Sequence, residues 1–377
     1  MSLPTLRALH LYSGNLYGGV ERFLATLAEL KPLCPGIEHR FALCFEGRLA
    51  DQLRAAGGAV RMLGPVRFSR PWTVWAARRR LAALLREDPP DVAITHSGWL
   101  HRLFAPVTSQ ARIPTVFLAH NCWEPARAEN RSLLALPPVA ILANSRFTAE
   151  SFRAAGHWKQ VAWTYLPAPT SGSNRRQQLR REAQVGEQEC VILCACRLER
   201  WKGQMLLLQA LSELRAPGWR CWIAGGAQRP SERAYQRQLL ERVNRLGLSD
   251  RVTFLGHRDD MADLWSAADV HCQPNTAPEA FGLAFIEAMR AGLPVVTTRL
   301  GSAVELLEGS RAGILVPPDD AKALAEALRQ LVENPDLRQQ MGLSARERAS
   351  EIADPAARLA DLEELLRRAV GESVLRP

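Results

Sequence analysis

The sequence lacks the segments that place a protein in a membrane or direct it out of the cell. No apolar run approaches the roughly 18 residues that a membrane-spanning helix needs. The start, MSLPTLRALHLYSG, has neither the charged region nor the apolar region of a secretory signal. We therefore expect a cytoplasmic chain.

Several motifs of metal, nucleotide and hydrolase chemistry are also absent. No GxxxxGK[ST], GxGxxG or GxSxG occurs, so a P-loop, a classical dinucleotide-binding turn and a nucleophile elbow are excluded. No Asp-x-Asp is present to hold a divalent cation against a sugar diphosphate. The eight cysteines form no metal-binding pattern with each other or with histidines, which predicts buried, reduced thiols. We expect no metal and no cofactor.

The composition is that of a folded protein of about two domains. The 377 residues are 47% hydrophobic and 23% charged, which excludes wholesale disorder. The net charge of +9 favours anionic partners, namely nucleotide-sugars, phospholipid surfaces or nucleic acid. Charge alone does not choose among them.

Short apolar runs alternate with amphipathic stretches in both halves of the chain. The runs LRALHLYS, HRFALCFE, VAITHS, TVFLAHN and AILANS predict strands of a first domain, 1–165. The runs CVILCAC, RCWIAG, RVTFLG, DVHCQP, PVVTT and AGILVPP predict those of a second domain, 189–354. Between them, 166–188 is expected to be a linker, and the helix 355–377 to pack back on the first domain. This predicts an α/β protein with two Rossmann-like, doubly wound domains facing across a cleft.

Two segments of the second half carry the most specific chemical signal. In PEAFGLAFIEAM, Glu279 and Glu287 are separated by seven residues, and a helix is expected to open near Gly282. Carboxylates accept hydrogen bonds from sugar hydroxyls, and a helix N-terminus favours a phosphate. In CRLERWKG, Arg197 and Lys202 place two cations on one strand-to-helix loop. Together they predict a site for a sugar nucleotide without a metal.

These segments resemble the retaining glycosyltransferases of family four, which have the GT-B architecture. The resemblance covers nearly the whole chain, including GGVE at Gly18–Glu21, DVAITH at Asp91–His96, ANSRFTAESF at Ala143–Phe152 and FLG at Phe254–Gly256. It departs from the family at YLPAP, 165–169, which replaces an Asn-Gly signature. It departs again at Gly225-Gly226-Ala227, where the family has Gly-x-Gly.

The resemblance implies a role for each matching residue. A hexose-type sugar would pass from a nucleotide-sugar to a hydroxyl acceptor, which could be lipid-linked, a glycan or a small molecule, with retention of anomeric configuration. Glu279 would hold the donor sugar, His120 would contact its hydroxymethyl region, and Glu287 would bind the ribose. The implied catalytic residues are Glu279, His120, Arg197 and Lys202. The implied donor-binding residues are Gly18, Gly19, Arg197, Lys202, Gly256, His257, Arg258, Gly282, Leu283 and Glu287.

Two other functions are compatible with parts of the sequence. Nucleotide-sugar 2-epimerases share the two-domain architecture but fit the paired E-x7-E and R-x4-K motifs less well. A nucleic-acid-binding protein is suggested by net charge alone, and no recognised module supports it. We therefore expect no nucleic-acid partner.

The stretch SRPWTVWAARRRLAALLRE predicts a helix with an unusual outer face. At 100° per residue, Trp72, Trp75, Arg79 and Arg86 fall together, opposite the apolar stripe. Two tryptophans among arginines are typical of a helix at a membrane surface. The alternatives are acceptor binding and an ordinary solvent-exposed surface. The acceptor itself is not indicated by the sequence.

Overall fold

The computed structural model describes residues 4–127, 130–168 and 174–374, with side chains to residue 371. The chain divides into two compact units. The first contains Met1–Pro169 and Ala353–Pro377, and the second contains Thr170–Ile352. Each unit is built on a parallel sheet.

The first unit has a seven-stranded sheet in the order β3-β2-β1-β4-β5-β6-β7. Its strands are β1 (Leu6–Tyr12), β2 (Ile37–Leu43), β3 (Ala59–Met62), β4 (Val92–Thr95), β5 (Thr115–Ala119), β6 (Ala140–Ala143) and β7 (Val161–Trp163). Its helices are α1 (Gly19–Glu29), α2 (Arg48–Ala55), α3 (Pro71–Glu87), α4 (Gly98–Gln110), α5 (Arg131–Ala135), α6 (Arg146–Ala155) and the C-terminal helix Pro355–Val374. A 3-10 turn spans Lys31–Leu33.

The second unit has a six-stranded sheet in the order β10-β9-β8-β11-β12-β13. Its strands are β8 (Cys190–Ala195), β9 (Trp219–Ala224), β10 (Val252–Gly256), β11 (Val270–Gln273), β12 (Val295–Thr298) and β13 (Gly313–Val316). Its helices are α7 (Arg176–Glu182), α8 (Gln204–Glu213), α9 (Pro230–Arg245), α10 (Met261–Ala267), α11 (Leu283–Arg290), α12 (Ser302–Leu307), α13 (Ala321–Glu333) and α14 (Pro335–Ala353). The C-terminal helix of the first unit is then α15.

The predicted fold class is confirmed, because both units are parallel, doubly wound sheets covered by helices. Each of the eleven apolar runs forms a strand, and each of these strands contains at least one buried residue, as expected of a parallel sheet covered by helices. The sequence prediction missed two strands, β3 and β7, and both lie at edges of the first sheet. Among the described residues, no helix is both long and apolar enough to cross a membrane.

The structure also shows what happens at the expected domain boundaries. In the first unit, α15 packs near the start of β2, where Arg367 donates to the backbone oxygens of Pro4 and Gly36, each at 2.9 Å. The expected linker, 166–188, contains helix α7, which belongs to the second unit. Residues 169–173 of that linker and 375–377 of the expected C-terminal helix lie outside the described residues.

Candidate functional site

The candidate site of the second unit lies at the point where its strand order reverses. Strands β8 and β11 are hydrogen-bonded neighbours in the middle of the sheet, and the chain leaves both at the same edge. Ligands of open parallel sheets bind at the carboxyl ends of the strands at this reversal. The loop after β8 carries Arg197 and Lys202, and the loop after β11 carries Glu279.

The structure brings Lys202 and Glu279 into direct contact. The ammonium group of Lys202 donates to Oε2 of Glu279, and both side chains are only 13% exposed. Nζ of Lys202 also lies 3.9 Å from the ring centroid of Trp201, and Nε2 of Gln273 lies 3.5 Å from the same Glu279 oxygen. Two predicted site residues, 77 positions apart, therefore form a largely buried ion pair.

A glycine allows the two loops to approach each other closely. Gly203 ends the 3-10 turn Arg200–Lys202 in the left-handed conformation, with φ +76°. A Cβ atom there would lie 1.7 Å from the carbonyl oxygen of Pro274. The backbone N–H of Thr276 donates to the carbonyl of Trp201 at 2.8 Å and fixes the approach.

The backbone of Glu279 is fixed by the next loop of the sheet. The N–H of Ser302 donates to the carbonyl oxygen of Glu279 at 2.9 Å. Gly301, with φ +62°, precedes it, and a Cβ there would lie 2.4 Å from that oxygen. The side chain of Glu279 is thus held by the loop after β8, and its main chain by the loop after β12.

Helix α11 begins at Leu283, four residues after Glu279. Its N-cap residue is Gly282, with φ +80°, and no side chain caps the helix. The first turn, from Leu283, therefore presents backbone N–H groups and the positive end of the helix dipole. Glu287 lies in the second turn and is partly buried. The E-x7-E spacing thus places one acid in the loop and the other on the helix.

Arg197 follows β8 and pairs with a neighbour. Its guanidinium lies 2.9 Å from Oε1 of Glu199, and its side chain is 38% exposed. Glu199 also accepts from the indole N–H of Trp201 at 2.9 Å. The backbone oxygen of Arg197 accepts from Nε2 of the buried Gln204 at 2.9 Å, which fixes the loop.

The predicted base-binding residues lie two strands away, at the end of β10. Gly256 has φ +64°, and its carbonyl accepts from the N–H of Gly225 at 2.8 Å. His257 is exposed and lies 3.1 Å from Asp259. Both ends of the Arg258 fork bind Asp260, at 2.7 and 2.5 Å. The hydrogen bonds from Arg258 lower the pKa of Asp260.

Two buried polar residues of this site were not predicted from the sequence. Gln273 ends β11 and Asn275 follows it, and each is 1% exposed. Nε2 of Gln273 donates to Oδ1 of Asn275 at 2.9 Å. In the described part of the chain, Oε1 of Gln273 and Nδ2 of Asn275 have no hydrogen-bond partner. The sequence signal that could have identified them is the pair of polar residues in QPN at the end of an apolar strand.

In the first unit, the predicted residues Gly18, Gly19 and His120 lie near the switch between β1 and β4. Gly18 is the N-cap residue of α1, and a Cβ at Gly19 would meet no atom within 4 Å. His120 follows β5, and its ring packs 5.7 Å from that of Phe23 on α1. Nε2 of His120 is hydrogen-bonded to Nδ1 of His96 at 3.0 Å, and burial lowers the pKa of His120 to about 3.

Helix α3 exposes the face that the sequence predicts. The side chains of Trp72 and Trp75 are 65% and 61% exposed, and Arg79 and Arg86 are exposed as well. The guanidinium of Arg79 lies 5.3 Å from the ring centroid of Trp75. The opposite face, with Ala77, Leu81 and Leu85, is buried.

Metal ligands do not cluster in the described ranges, where no group of three or more histidine, cysteine or acidic side chains could hold an ion. The site contains the Lys202–Glu279 and Arg197–Glu199 ion pairs, buried amides and a helix N-terminus.

Comparison with known families identifies the class of protein. The model of the family described as glycosyl transferases group 1 matches residues 175–348, and that of glycosyltransferase family 4 matches residues 17–164. The chain belongs to the family-four, group 1 glycosyltransferases. Both halves thus match the family that the sequence motifs indicate, and the resemblance is confirmed.

Curated relatives match part of the chain. A lipopolysaccharide core biosynthesis mannosyltransferase of Rhizobium meliloti is 34% identical over 145 residues, 37% of this chain and 41% of the relative. A D-inositol 3-phosphate glycosyltransferase of Corynebacterium jeikeium is 37% identical over 181 residues, 46% and 42% of the two chains. The matches thus span less than half the length of these relatives.

Solved structures match most of the chain. HepE of Anabaena, in complex with UDP and glucose, is 25% identical with a TM-score of 0.86, covering 96% of this chain and all of HepE. A glycosyltransferase of Rickettsia africae has a TM-score of 0.83 at 18% identity, covering 99% of this chain and all of the other, and it supports the fold alone. The GT-B assignment is thereby confirmed.

Proposed function

We propose that this protein is a metal-independent, retaining glycosyltransferase that moves a hexose-type sugar from a nucleotide-sugar donor to a hydroxyl acceptor. The observation that carries the proposal is the largely buried Lys202–Glu279 pair at the strand reversal of the second sheet. A cation and an acid side by side suit a ligand with a phosphate next to a sugar. HepE, which is similar in structure, has been solved with UDP-glucose.

The diphosphate of the donor would bind to the cations and to the start of α11. Lys202 offers a point charge, Arg197 a planar fork, and the backbone at Gly282 and Leu283 the positive end of a helix. These groups would stabilise the negative charge that develops as the nucleoside diphosphate leaves. They would supply this stabilisation without a metal ion.

The sugars would bind to the acidic and amide side chains. Glu279 would accept hydrogen bonds from hydroxyls of the donor sugar, and Glu287 from those of the ribose. Oε1 of Gln273 and Nδ2 of Asn275 are buried and have no partner in the described ranges, so they supply a further acceptor and donor beside Glu279. A buried polar group without a partner is costly, and a sugar hydroxyl would relieve that cost.

The remaining predicted residues complete the donor contacts. Gly256, His257 and Arg258 would contact the base. In the first unit, Gly18 and Gly19 would approach the diphosphate, because a backbone without side chains admits close contact. His120 would contact the hydroxymethyl region of the donor sugar.

Donor binding is tested by thermal unfolding with UDP, GDP and ADP in the presence of EDTA. Ligand binding stabilises the folded protein by mass action, so one diphosphate should raise the melting temperature of the wild type. Lys202→Ala should abolish that shift. Arg200→Ala is the matched control, because Arg200 lies on the same turn but binds Gln238 at the surface. A shift that needs a divalent cation, or that survives in Lys202→Ala, contradicts the proposal.

Retention is tested with the sugar donor that matches the best diphosphate. Proton NMR follows the transfer of the sugar from an α-linked donor to water or to a hydroxyl compound. A retaining enzyme should form the α-anomer of the product first. A β-product would show an inverting enzyme. Conversion of the donor sugar without transfer would show an epimerase.

We also propose that α3 docks on the anionic cytoplasmic face of a membrane. Its two exposed tryptophans and the arginine beside them match the chemistry of an interfacial helix, in which rings enter the headgroup region and cations face the lipid phosphates. All eight cysteines are free, which suits a reducing compartment.

Docking is tested by sedimentation with vesicles that contain phosphatidylglycerol or only phosphatidylcholine. The wild type should bind the anionic vesicles at low salt, and Trp72→Glu with Trp75→Glu should not. Leu343→Glu is the control, because Leu343 is a 55% exposed apolar residue of the second unit. Equal sedimentation of the wild type and the double variant would rule out docking through this face.

A further inference from the structure

Four histidines of the first unit form one continuous chain of hydrogen bonds across its sheet. Nδ1 of His39 lies 2.9 Å from Nε2 of His10. Nδ1 of His10 lies 3.0 Å from Nε2 of His96, and Nδ1 of His96 lies 3.0 Å from Nε2 of His120. His39 is on β2, His10 on β1, and the other two follow β4 and β5. This chain of histidines therefore crosses the strand reversal of the first sheet and ends at His120.

The four rings are neutral near pH 7. Burial lowers the pKa of His39 to about 4 and that of His120 to about 3. Burial and repulsion by neighbouring imidazoles hold the pKa values of His10 and His96 well below the ordinary value. A neutral imidazole has one N–H donor and one bare nitrogen acceptor. Each ring therefore has one of each for its neighbours.

The surroundings of the chain are mainly aromatic. Phe41 stacks on His10 with 5.3 Å between centroids, and Phe23 contacts His96 and His120. Tyr12 meets His96 edge-on at 5.8 Å, and its hydroxyl donates to the carboxylate of Glu21 at 2.7 Å.

On α15, Arg358 shares a small cavity with Phe23, and its guanidinium binds Asp361 at 3.1 Å. The carboxylate of Glu21 and the guanidinium of Arg358 thus each bind a neighbouring side chain.

Each hydrogen bond between two of these histidines joins the same pair of ring atoms. Each joins Nδ1 of one ring to Nε2 of the next, so a ring that donates from Nδ1 must accept at Nε2. We infer that the four histidines share one tautomer, so that the proton positions on the three buried rings determine whether His120 presents Nδ1 as a donor or as an acceptor. His96, His10 and His39 are thus positioning residues for His120.

Each end of the chain has one nitrogen left over. At the inner end, Nε2 of His39 is buried and has no hydrogen-bond partner among the described residues. At the outer end, His120 is partly buried at the carboxyl edge of the sheet, and its Nδ1 has no partner within the same described ranges. Either tautomer leaves one polar group unsatisfied at His39, as an N–H or as a lone pair. The shared tautomer therefore fixes whether His120 can bind a donor or an acceptor atom of a ligand.

The consequence for the ligand rests on the proposed function. With all four protons on Nε2, Nδ1 of His120 accepts a hydrogen bond from a sugar hydroxyl. With all four on Nδ1, His120 donates to a ring or phosphate oxygen. Because both forms are neutral, neither adds charge to the buried site.

The test is NMR of the ligand-free protein labelled with nitrogen-15 in histidine, at pH 7.5. Two other buried histidines calibrate the spectrum. Nδ1 of His271 lies 2.9 Å from the carbonyl oxygen of Leu193, so it must carry the proton. Nε2 of His101 lies 2.6 Å from the carbonyl oxygen of Leu136, so it carries the proton there. Their nitrogen shifts define the two tautomers within the same sample.

The expected result is that His39, His10, His96 and His120 all match the same reference. If they exchange between tautomers, all four should give the same population-weighted shift. A mixed pattern, with one ring matching His271 and another His101, would overturn the inference. No substrate is needed, so the outcome is independent of whether the protein transfers sugar.

A variant provides a second measurement. In His96→Phe, the nitrogen shifts of His120 should change, whereas His10 and His39 should still agree with each other. His157→Phe is the control, because His157 is an exposed residue of the same unit. If His120 is unchanged in a folded His96→Phe protein, coupling through the chain is disproved. If that variant does not fold, the wild-type pattern decides.

Discussion

Gly203 lies so close to Pro274 that a single added carbon would fall 1.7 Å from the carbonyl oxygen of Pro274. This contact joins the loops after β8 and β11 directly beside the Lys202–Glu279 pair. The obstructing atom is main chain and cannot rotate away. Gly203 therefore determines whether the cation and the acid can meet.

Gly203→Ala should destabilise the second unit and weaken donor binding. Its left-handed backbone costs an alanine about 1–2 kcal/mol, and the clash should add about 1–3 kcal/mol. Gly247→Ala is the matched control, because Gly247 has φ +68° and open space around its Cβ position. The free energy of unfolding of both variants is measured in urea, and the difference between them gives the cost of the clash. Equal destabilisation would show that the approach of Gly203 to Pro274 is unimportant.

Glu279→Gln should separate sugar transfer from phosphate binding. The variant removes the charge that pairs with Lys202, so the affinity for the free nucleoside diphosphate should stay the same or rise. Turnover should fall roughly 10²-fold, as for the loss of an electrostatic contact in a transition state. Calorimetry and initial rates measure the two effects.

Glu287→Gln should show the opposite pattern. The loss of a ribose contact should weaken nucleotide binding more than it slows turnover at saturating donor. If Glu279→Gln instead abolishes diphosphate binding, the placement of the donor sugar beside Glu279 is wrong.

The buried histidines should make the folded protein sensitive to acid. The folded pKa of His39 is about 4, below the ordinary value of 6.5, because burial disfavours the charged form. As the pH falls below about 6.5, the unfolded chain binds a proton that the folded chain does not. Stability is therefore complete above pH 6.5 and is lost down to about pH 4, at about 1.4 kcal/mol per pH unit for each such histidine.

His39→Asn provides the check on this pH dependence. Urea unfolding at pH 7 and pH 5 should show a smaller loss of stability in the variant than in the wild type, by about 1.4 kcal/mol per pH unit. His157→Asn, at the surface, should keep the wild-type slope. An unchanged slope in His39→Asn would show that His39 does not titrate as its burial requires.

Asp269 should hold α7 to the second unit. Its carboxylate accepts from Arg176 at 2.5 Å, from Arg180 at 2.9 Å and from the N–H of Val191 at 2.7 Å, and its side chain is 13% exposed. Burial opposes ionisation, but these partners outweigh it and lower the pKa of Asp269. The stabilisation is therefore present above the ordinary pKa of an aspartate and is lost as the pH falls through the lowered value.

Asp269→Asn should cost about 3 kcal/mol, because it leaves buried arginine charge without its partner. Hydrogen exchange of 176–182 should become faster. Asp263→Asn should cost less than about 1 kcal/mol, since its partner Arg175 is 46% exposed. If α7 exchanges at the same rate in both variants, Asp269 is not its anchor.

Every strand that the sequence predicted contains at least one buried residue, whereas the two that it missed, β3 and β7, contain none. Runs such as VAITHS are continuously apolar because helices cover both sides of a parallel strand. Strand β3 alternates exposed and half-buried residues along Ala59–Met62, and β7 is only three half-buried residues long. Neither β3 nor β7 forms a long apolar run, so the sequence of each resembles a loop.

The same limit applies to the sites. Lys202 and Glu279 could be predicted because each belongs to a motif of adjacent residues. The bond between His10 and His96 joins positions 86 apart and depends on the pairing of β1 with β4. No local spacing encodes that pairing. Likewise, the isolation of Gln273 and Asn275 appears only once the surrounding strands are packed.

The double anchoring of Glu279, by Lys202 at its side chain and by Ser302 at its main chain, also bears on the thermodynamics of recognition. A mobile carboxylate would lose conformational entropy when it binds its ligand. The carboxylate of Glu279 has already lost that entropy when the protein folds. Under the proposed function, sugar affinity at Glu279 would thus depend on Gly301 and the rest of the loop after β12, none of which would need to touch the sugar.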